Sequence, residues 1–512
     1  MNNIFTKTLL AYLRVCAKLQ LKKHRPYIIG VSGSAGKTST MHAVYAILKD
    51  YKKCKYSKKA NSHTGIPLDI LDLHPKDYTS IEWIKLSFLC IWKLITYWEK
   101  YDIYVVELGV DDINEPKNMK YLLKILVPDI AIYLNVNSVH GANYENKVND
   151  KLLLNLPEEK SKYLEQIKDL IAKDKNLLIQ AVDKSGLVVL NSDDPRVLKS
   201  KELASATTYL VKEIPEKEAK MLVADEKLDA LMRKSVKEET TIYYSNTRNQ
   251  GGFAFDLIVN SKLYTIHFPT LILPKHFAVT FASALAIAYY LKLDMEGAIE
   301  SLIQNFEMEP GRSTIFKGIH NSIIIDSSYN SSKESCMDML DLLSSYKFQE
   351  LDKSQKKKPY RIAVLGDMRE LGTNSRIEHE DLANIAFDKA DEFFLVGVDM
   401  KNYFIPKLLT LGINKYKIHW FDKAGDVAKA IKKFFSAYFD TKDSFSDVDD
   451  FYSKYIDKQT FQSDYLPVIL VKGSQNTIFL EIVVEQLLNN PLDKEKLCRR
   501  GKIWDKQRVK YI

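Results

Sequence analysis

YIIGVSGSAGKTST, residues 27–40, opens on apolar residues, breaks into glycines at positions 30, 33 and 36, and closes on Lys37 followed by hydroxyl side chains. That order predicts a buried strand, a loop whose backbone amides face outward, and the first turn of a helix. Such a loop offers N–H groups and a helix N-terminus to phosphate, a lysine to the β/γ-phosphates and a hydroxyl to magnesium. The candidate phosphate residues are therefore Gly33, Ser34, Gly36, Lys37, Thr38 and Ser39. The strict phosphate-loop spacing would put its first glycine where Val31 stands, so the loop is a variant. A glycine-rich turn with a chance lysine is the bland alternative, and the succession of strand, loop and helix argues against it.

Around this stretch lie 512 residues, enough for two or three domains. The hydrophobic fraction of 46% and charged fraction of 27% are those of a globular protein. A net charge of +8, from 74 basic and 66 acidic residues, suits phosphate-bearing ligands but is too diffuse to indicate nucleic acid. Cys16, Cys54, Cys90, Cys336 and Cys498 show neither pairing nor metal spacing, which suits a reducing cytoplasm. Residues 4–23 read as a basic amphipathic helix, expected to dock on the protein rather than on a membrane. Residues 81–98 are rich in Trp, Leu and Ile, but Lys85 and Lys93 interrupt them, and a partly buried helix is expected rather than a span.

Along the chain, Met41–Leu48 continues the helix after the loop. Ile103–Val106 is an apolar run ending in Glu107, a carboxylate at the C-terminal end of a strand, where α/β sheets place ligands. Thr38 and Glu107 are thus candidate oxygen ligands to one magnesium ion, an exposed loop glutamate being the alternative. PDIAIYLN (128–135) repeats the pattern and leads to His140. Further strands are expected at 186–191 and 242–244, and residues 144–170 read as an insertion. After Glu309-Pro310-Gly311-Arg312 the rhythm restarts, with strands at 322–326, 361–367, 392–398 and 466–471 and an acidic insertion at about 440–465. The expectation is an α/β protein: the helix 1–26, a parallel-sheet phosphate-loop ATPase domain over 27–309, and a smaller Rossmann-like domain over 310–512.

In one order along residues 27–485, the pieces GVSGSAGKTST, VVELG, PDIAIYLNVNSVH, LNSDDP, EPGR, IDSSYNSS, LGDMRELG and VKGS resemble the Mur ligase family, with LGDMRELG similar to its D-alanyl-D-alanine-adding branch. The family implies a ligase that phosphorylates a carboxylate with ATP and lets an amine displace the phosphate, using a small-molecule or peptide substrate in cell-wall precursor assembly. By this resemblance Lys37 holds the β/γ-phosphates, Thr38 and Glu107 bind one magnesium, and His140 binds a second. The family's carbamylated lysine, serving that second site, maps onto Lys175 in IAKDKNLLI, with Lys173 as the neighbouring alternative. His276, Arg312 and Asp326 are implied to contact ATP, and Tyr329, Asn330, Asp367 and Lys472 the substrate.

The sequence also departs from the family. Asn61-Ser62-His63-Thr64-Gly65 lacks the usual glutamate, Ile113-Asn114 replaces a Pro-Gly, Asn137-Ser138 replaces a Gly-Pro before His140, and Thr280 stands for an asparagine. Only 29 residues precede Gly30, so the family's N-terminal uridine-binding domain is expected to be lacking. Two alternatives stay open: a Mur-like ligase on another acceptor, of the folylpolyglutamate, cyanophycin or lipid II-modifying kind, and a nucleotide-binding scaffold without ligation.

Overall fold

A computed structural model describes residues 4–58, 60–75, 79–137, 143–144, 157–224, 240–249, 252–346, 358–439, 465–474 and 478–511. The chain forms two compact units. The first comprises Met1–Arg248, Ala254–Phe268 and His276–Glu307; the second comprises Asn249–Phe253, Pro269–Lys275 and Met308–Ile512.

The first unit is built on a nine-stranded sheet. In chain order its strands are β1 (Tyr27–Ser32), β2 (Cys54–Tyr56), β3 (Ile103–Glu107), β4 (Ile130–Tyr133), β5 (Leu187–Asn191), β6 (Thr207–Glu213), β7 (Thr240–Arg248), β8 (Phe253–Val259) and β9 (Lys262–Phe268). Their spatial order is β2-β3-β1-β4-β5-β6-β7-β8-β9. Every pairing from β2 to β7 is parallel, and β8 runs antiparallel to β7. β3, β4 and β5 are buried along their whole length, as unbroken apolar strands must be when helices cover both faces of a sheet. Ile28, Tyr104, Val106, Ala131, Tyr133 and Val188 share a core with Ile66, Ile167 and Leu178 from the helices on one face. On the other face lie helix α2 (Lys37–Leu48) and the helix Phe277–Tyr290, which pack on each other and against β3 and β5 respectively.

The second unit carries a six-stranded sheet of β10 (Thr314–Lys317), β11 (Ile323–Ser327), β12 (Lys358–Gly366), β13 (Glu392–Val396), β14 (Ile418–Phe421) and β15 (Tyr465–Lys472). The order is β10-β11-β15-β12-β13-β14, antiparallel between β10 and β11 and parallel elsewhere. Strand alternation divides its apolar residues between two cores. Ile324, Ile362, Val364, Phe394 and Ile469 face one layer; Ile325, Ala363, Leu365, Phe393 and Leu470 face the other.

Each strand expected from an apolar run is present. β2, β6, β9, β10 and β14 were not anticipated, because they are short or carry polar residues on an exposed side. β8 also escaped notice. It forms a hairpin with β9 through Asn260 and Ser261, whose φ values of 50° and 60° are those of a two-residue type I′ turn. Of the expected insertion at 144–170, residues 157–170 form the first part of the helix Pro157–Ala181; that at 440–465 lies almost wholly outside the described residues. The expected N-terminal helix is α1 (Ile4–His24). Its Leu13 and Cys16 pack with Leu68, Leu71, Leu86 and Cys90 inside the first unit.

Candidate nucleotide and metal site

β1 delivers the chain to the C-terminal edge of the parallel sheet, where residues 33–36 turn and α2 begins at Lys37. Gly36 caps α2 with φ 82°, a left-handed conformation that costs a residue with a Cβ about 1 kcal/mol or more. A Cβ on Gly33 would meet that of Leu134 at 3.0 Å. The glycines thus let the backbone turn tightly against the end of β4. Asn135 holds the loop in shape: its Oδ1 accepts from the backbone N–H of Ser34 at 3.1 Å and of Ala35 at 2.8 Å, and its Nδ2 donates to the carbonyl of Ala35 at 3.2 Å. The first N–H groups of α2 have no partner within the helix and favour an anion.

Two lysines converge on this loop. Lys37 Nζ donates to the carbonyls of Gly33 at 2.9 Å and Ser34 at 3.1 Å. Lys175, on the helix Pro157–Ala181, donates to the same Gly33 carbonyl at 3.2 Å. Lys175 is buried, and its ammonium is pushed down to about 7, first by burial and then by the positive charge of Lys37. Lys173, the alternative in the same stretch, is exposed. The Lys37 cation and a helix N-terminus around one turn form an anion site, with Lys175 shared between its ammonium and free-amine forms beside them.

β1 and β3 pair in a register that sets Val31 beside Glu107. The carboxylate therefore reaches the start of α2, where Thr38 Oγ1 donates to Glu107 Oε2 at 2.7 Å. Asn61 Nδ2 donates to Glu107 Oε1 at 3.2 Å, and the Glu107 backbone N–H donates to Ser57 Oγ at 3.1 Å. Glu107 is 6% exposed, so the alternative of a loose surface glutamate is excluded. A hydroxyl and a carboxylate at hydrogen-bond distance beside an anion site are a donor set that suits magnesium with phosphate. Among the described residues there is no cluster of three or more His, Cys, Asp or Glu side chains that would hold a metal unaided. His140 lies outside the described residues. His276 caps the helix Phe277–Tyr290, and that helix brings Thr280 to the loop: a Cβ on Gly36 would lie 3.8 Å from Thr280 Oγ1.

In the second unit, the Arg312 guanidinium stacks over the Tyr329 ring at 4.6 Å. Asp326, at the end of β11, is fully buried; its Oδ1 accepts from the Ser328 N–H at 3.0 Å, while Oδ2 has no hydrogen-bond donor among the described residues. Burial pushes this carboxyl up to about 6. Lys472, also buried, donates to the Asn330 carbonyl at 2.7 Å, and burial lowers its ammonium. Asp367 accepts from the backbone of Met400 at 2.8 Å and Asp399 at 3.3 Å, so it anchors the turn after β13.

Sequence reasoning missed Asn135, Asn61 and the pair Arg499–Glu481. Arg499 binds Glu481 through two hydrogen bonds of 2.8 and 2.6 Å, and donates to the carbonyls of Tyr329 at 2.9 Å and Ser328 at 2.7 Å. Asn135 closes PDIAIYLN at a strand end, a signal that was legible; Arg499 lies near the C-terminus, and nothing in its surroundings marks it.

Residues 31–151 match the model of the Mur ligase middle domain. The UDP-N-acetylmuramoyl-tripeptide--D-alanyl-D-alanine ligase of Buchnera aphidicola subsp. Baizongia pistaciae is 23% identical over 465 residues, covering 90% of this chain and 75% of that protein. MurF from Acinetobacter baumannii superposes with a TM-score of 0.65 at 17% identity, over 94% of this chain and 81% of the other. MurF from Thermotoga maritima, in complex with ADP, gives 0.59 at 18% identity over 93% and 83%. Residues 31–151 thus match a Mur ligase middle domain around the phosphate loop, and the fold along the length of the chain is that of the MurF structures.

Proposed function

We propose that the protein is an ATP-dependent ligase that joins D-alanyl-D-alanine, or a similar amine, to the carboxylate of a cell-wall peptide precursor. The observation that carries this reading is the convergence of Lys37 and Lys175 on the Gly33 carbonyl beside the Thr38–Glu107 pair. The relatives that carry the name of a D-alanyl-D-alanine ligase support it along most of the chain.

In the reaction, a carboxylate oxygen attacks the γ-phosphorus and ADP leaves. The amine nitrogen then attacks the acyl carbon, loses a proton, and phosphate departs from the tetrahedral intermediate. Charge grows on phosphoryl and carbonyl oxygens, so fixed cations and amides do most of the work. Lys37 neutralises the β/γ-phosphates, and the loop amides and the α2 N-terminus orient them. Magnesium would be held by Thr38 and Glu107 and would neutralise phosphate charge. Lys175, as the free amine, would add to CO2 and release a proton, giving a carbamate that with His140 would hold a second ion. His276, Arg312 and Asp326 are assigned to ATP, and Tyr329, Asn330 and Lys472 to the substrate. Asp367, already committed to the backbone amides of Asp399 and Met400, is assigned to holding the turn after β13.

The deciding experiment incubates the protein with ATP, magnesium, UDP-muramoyl tripeptide and D-alanyl-D-alanine. Phosphate release matched one for one by amide product is expected. Turnover only with other acceptors or amines would move the activity elsewhere in the family. ATP binding without product on any acceptor would leave a scaffold instead. For Lys175, labelled bicarbonate should give a carbamate carbon resonance that survives Lys173→Ala and disappears in Lys175→Ala.

A further inference from the structure

The helix Ser80–Thr96 is apolar on two opposite faces. One face packs into the first unit through Trp83, Leu86, Leu89, Cys90 and Leu94. The other carries Ile81, Ile84, Phe88, Ile91, Trp92 and Ile95, and all six are exposed, Ile81 by 81%, Phe88 by 73% and Trp92 by 61%. These positions fall within about a third of a turn on a 3.6-residue helix, so they form one continuous stripe. Trp98, just past the helix end, is 64% exposed. A contiguous apolar strip of this size marks a surface that something covers.

α1 runs alongside and parallel to this helix: Tyr12 Oη donates to the Ser87 carbonyl at 2.5 Å, and Gln20 Nε2 to that of Tyr97 at 3.0 Å. Where the two helices end, Lys23 Nζ donates to the carbonyls of Leu94 and Tyr97 at 2.9 and 2.7 Å and sits 3.6 Å over the Trp98 ring. α1 adds exposed Val15 and Leu19, flanked by exposed Lys18 and Lys22. Residues 4–25 contain no Asp or Glu, and residues 80–98 contain only Glu82. The apolar stripe is therefore bordered by cations, with two tryptophans at its polar edge.

We propose that this face docks on an anionic lipid bilayer, with both helices lying in the plane of the interface. Apolar side chains enter the acyl boundary, tryptophans sit at headgroup depth and lysines meet lipid phosphates. The helix lies on the membrane rather than crossing it: Lys85 borders the stripe, and among the described residues no helix is long and apolar enough to span. A second copy of the chain is the poorer occupant. A two-fold contact would set the basic rims of both copies against each other with only Glu82 on each copy to offset them.

The test is co-sedimentation of the full chain with vesicles of phosphatidylglycerol and phosphatidylcholine, against phosphatidylcholine alone. Binding to the anionic vesicles is expected, weakened by salt and accompanied by a blue shift of tryptophan fluorescence. The double variant Phe88→Glu/Trp92→Glu should lose most of this binding while keeping its circular dichroism and thermal melt, since both side chains are exposed. Lys18→Glu/Lys22→Glu should weaken it by about tenfold or more. Absence of binding to anionic vesicles overturns the proposal, as does equal binding by the Phe88/Trp92 variant. So does a concentration-dependent dimer that those substitutions abolish in a protein that ignores vesicles.

Discussion

Lys37 and Lys175 meet at one carbonyl, so removing either should have effects that differ in kind. Lys37→Ala deletes the cation that the proposed function assigns to the phosphates and should lower ATP turnover by at least about 100-fold, read as phosphate release under saturating magnesium. Glu107→Gln keeps the shape beside Thr38 but removes the charge. Its expected signature is a rise in the magnesium concentration needed for half-maximal turnover, seen in a magnesium titration. Asp326 makes a stability prediction with a definite sign. Its carboxyl is raised from 3.8 to about 6 because it is buried. Between about pH 4 and pH 6 the folded chain holds a proton that the unfolded chain has released, so stability falls as pH rises through that window. Asp326→Asn removes the burial cost of the charge and should stabilise the second unit by about 3 kcal/mol at pH 7 and by nothing at pH 4. Urea unfolding at the two pH values checks this; an equal shift at both would reject the assigned cause. If Asp326 also contacts nucleotide, the stabilised variant loses ATP turnover.

At the scale of elements, the turn from β1 into α2 depends on backbone conformation rather than on side chains. Gly36→Ala places a Cβ in a left-handed position, and the expected loss of ATP affinity comes without loss of Lys37. In the second unit, Arg499 and Glu481 form a buried ion pair that also holds the carbonyls of Ser328 and Tyr329. Arg499→Met leaves Glu481 charged and unpaired and should cost about 3–5 kcal/mol, whereas Arg499→Met with Glu481→Leu should recover much of the loss. Thermal unfolding of the single and double variants separates the two. Elements were legible wherever one physical signal dominated. β1, β3, β4 and β5 are unbroken apolar runs because both faces of the sheet are covered. β9 was not legible, because its outward residues are polar and its partner comes from a hairpin whose turn, Asn260-Ser261, lacks the usual glycine.

For the whole molecule, the consequence of an anion site built from a loop, two lysines and a helix N-terminus is linkage between nucleotide and stability. ATP with magnesium at 100 times its dissociation constant should stabilise the first unit by about 2.7 kcal/mol, seen as a raised unfolding temperature that Lys37→Ala abolishes. The sequence by itself determined the phosphate loop and the α/β alternation, because these depend on local order; it marked Thr38 and Glu107 only as candidates, through the habit of parallel sheets to gather ligands at their C-terminal edge, and the register of β1 on β3 brought the two together. Tertiary structure alone set Lys175 against the phosphate loop and left Lys173 exposed, since two lysines on one helix differ only in which face is buried. It alone placed Asn135 on the loop and Asp367 on the turn after β13. It alone showed the helix Ser80–Thr96 to be apolar on a covered face and an exposed one. Composition reports that a segment is apolar, and only packing assigns each apolar side chain to a neighbour or leaves it at the surface.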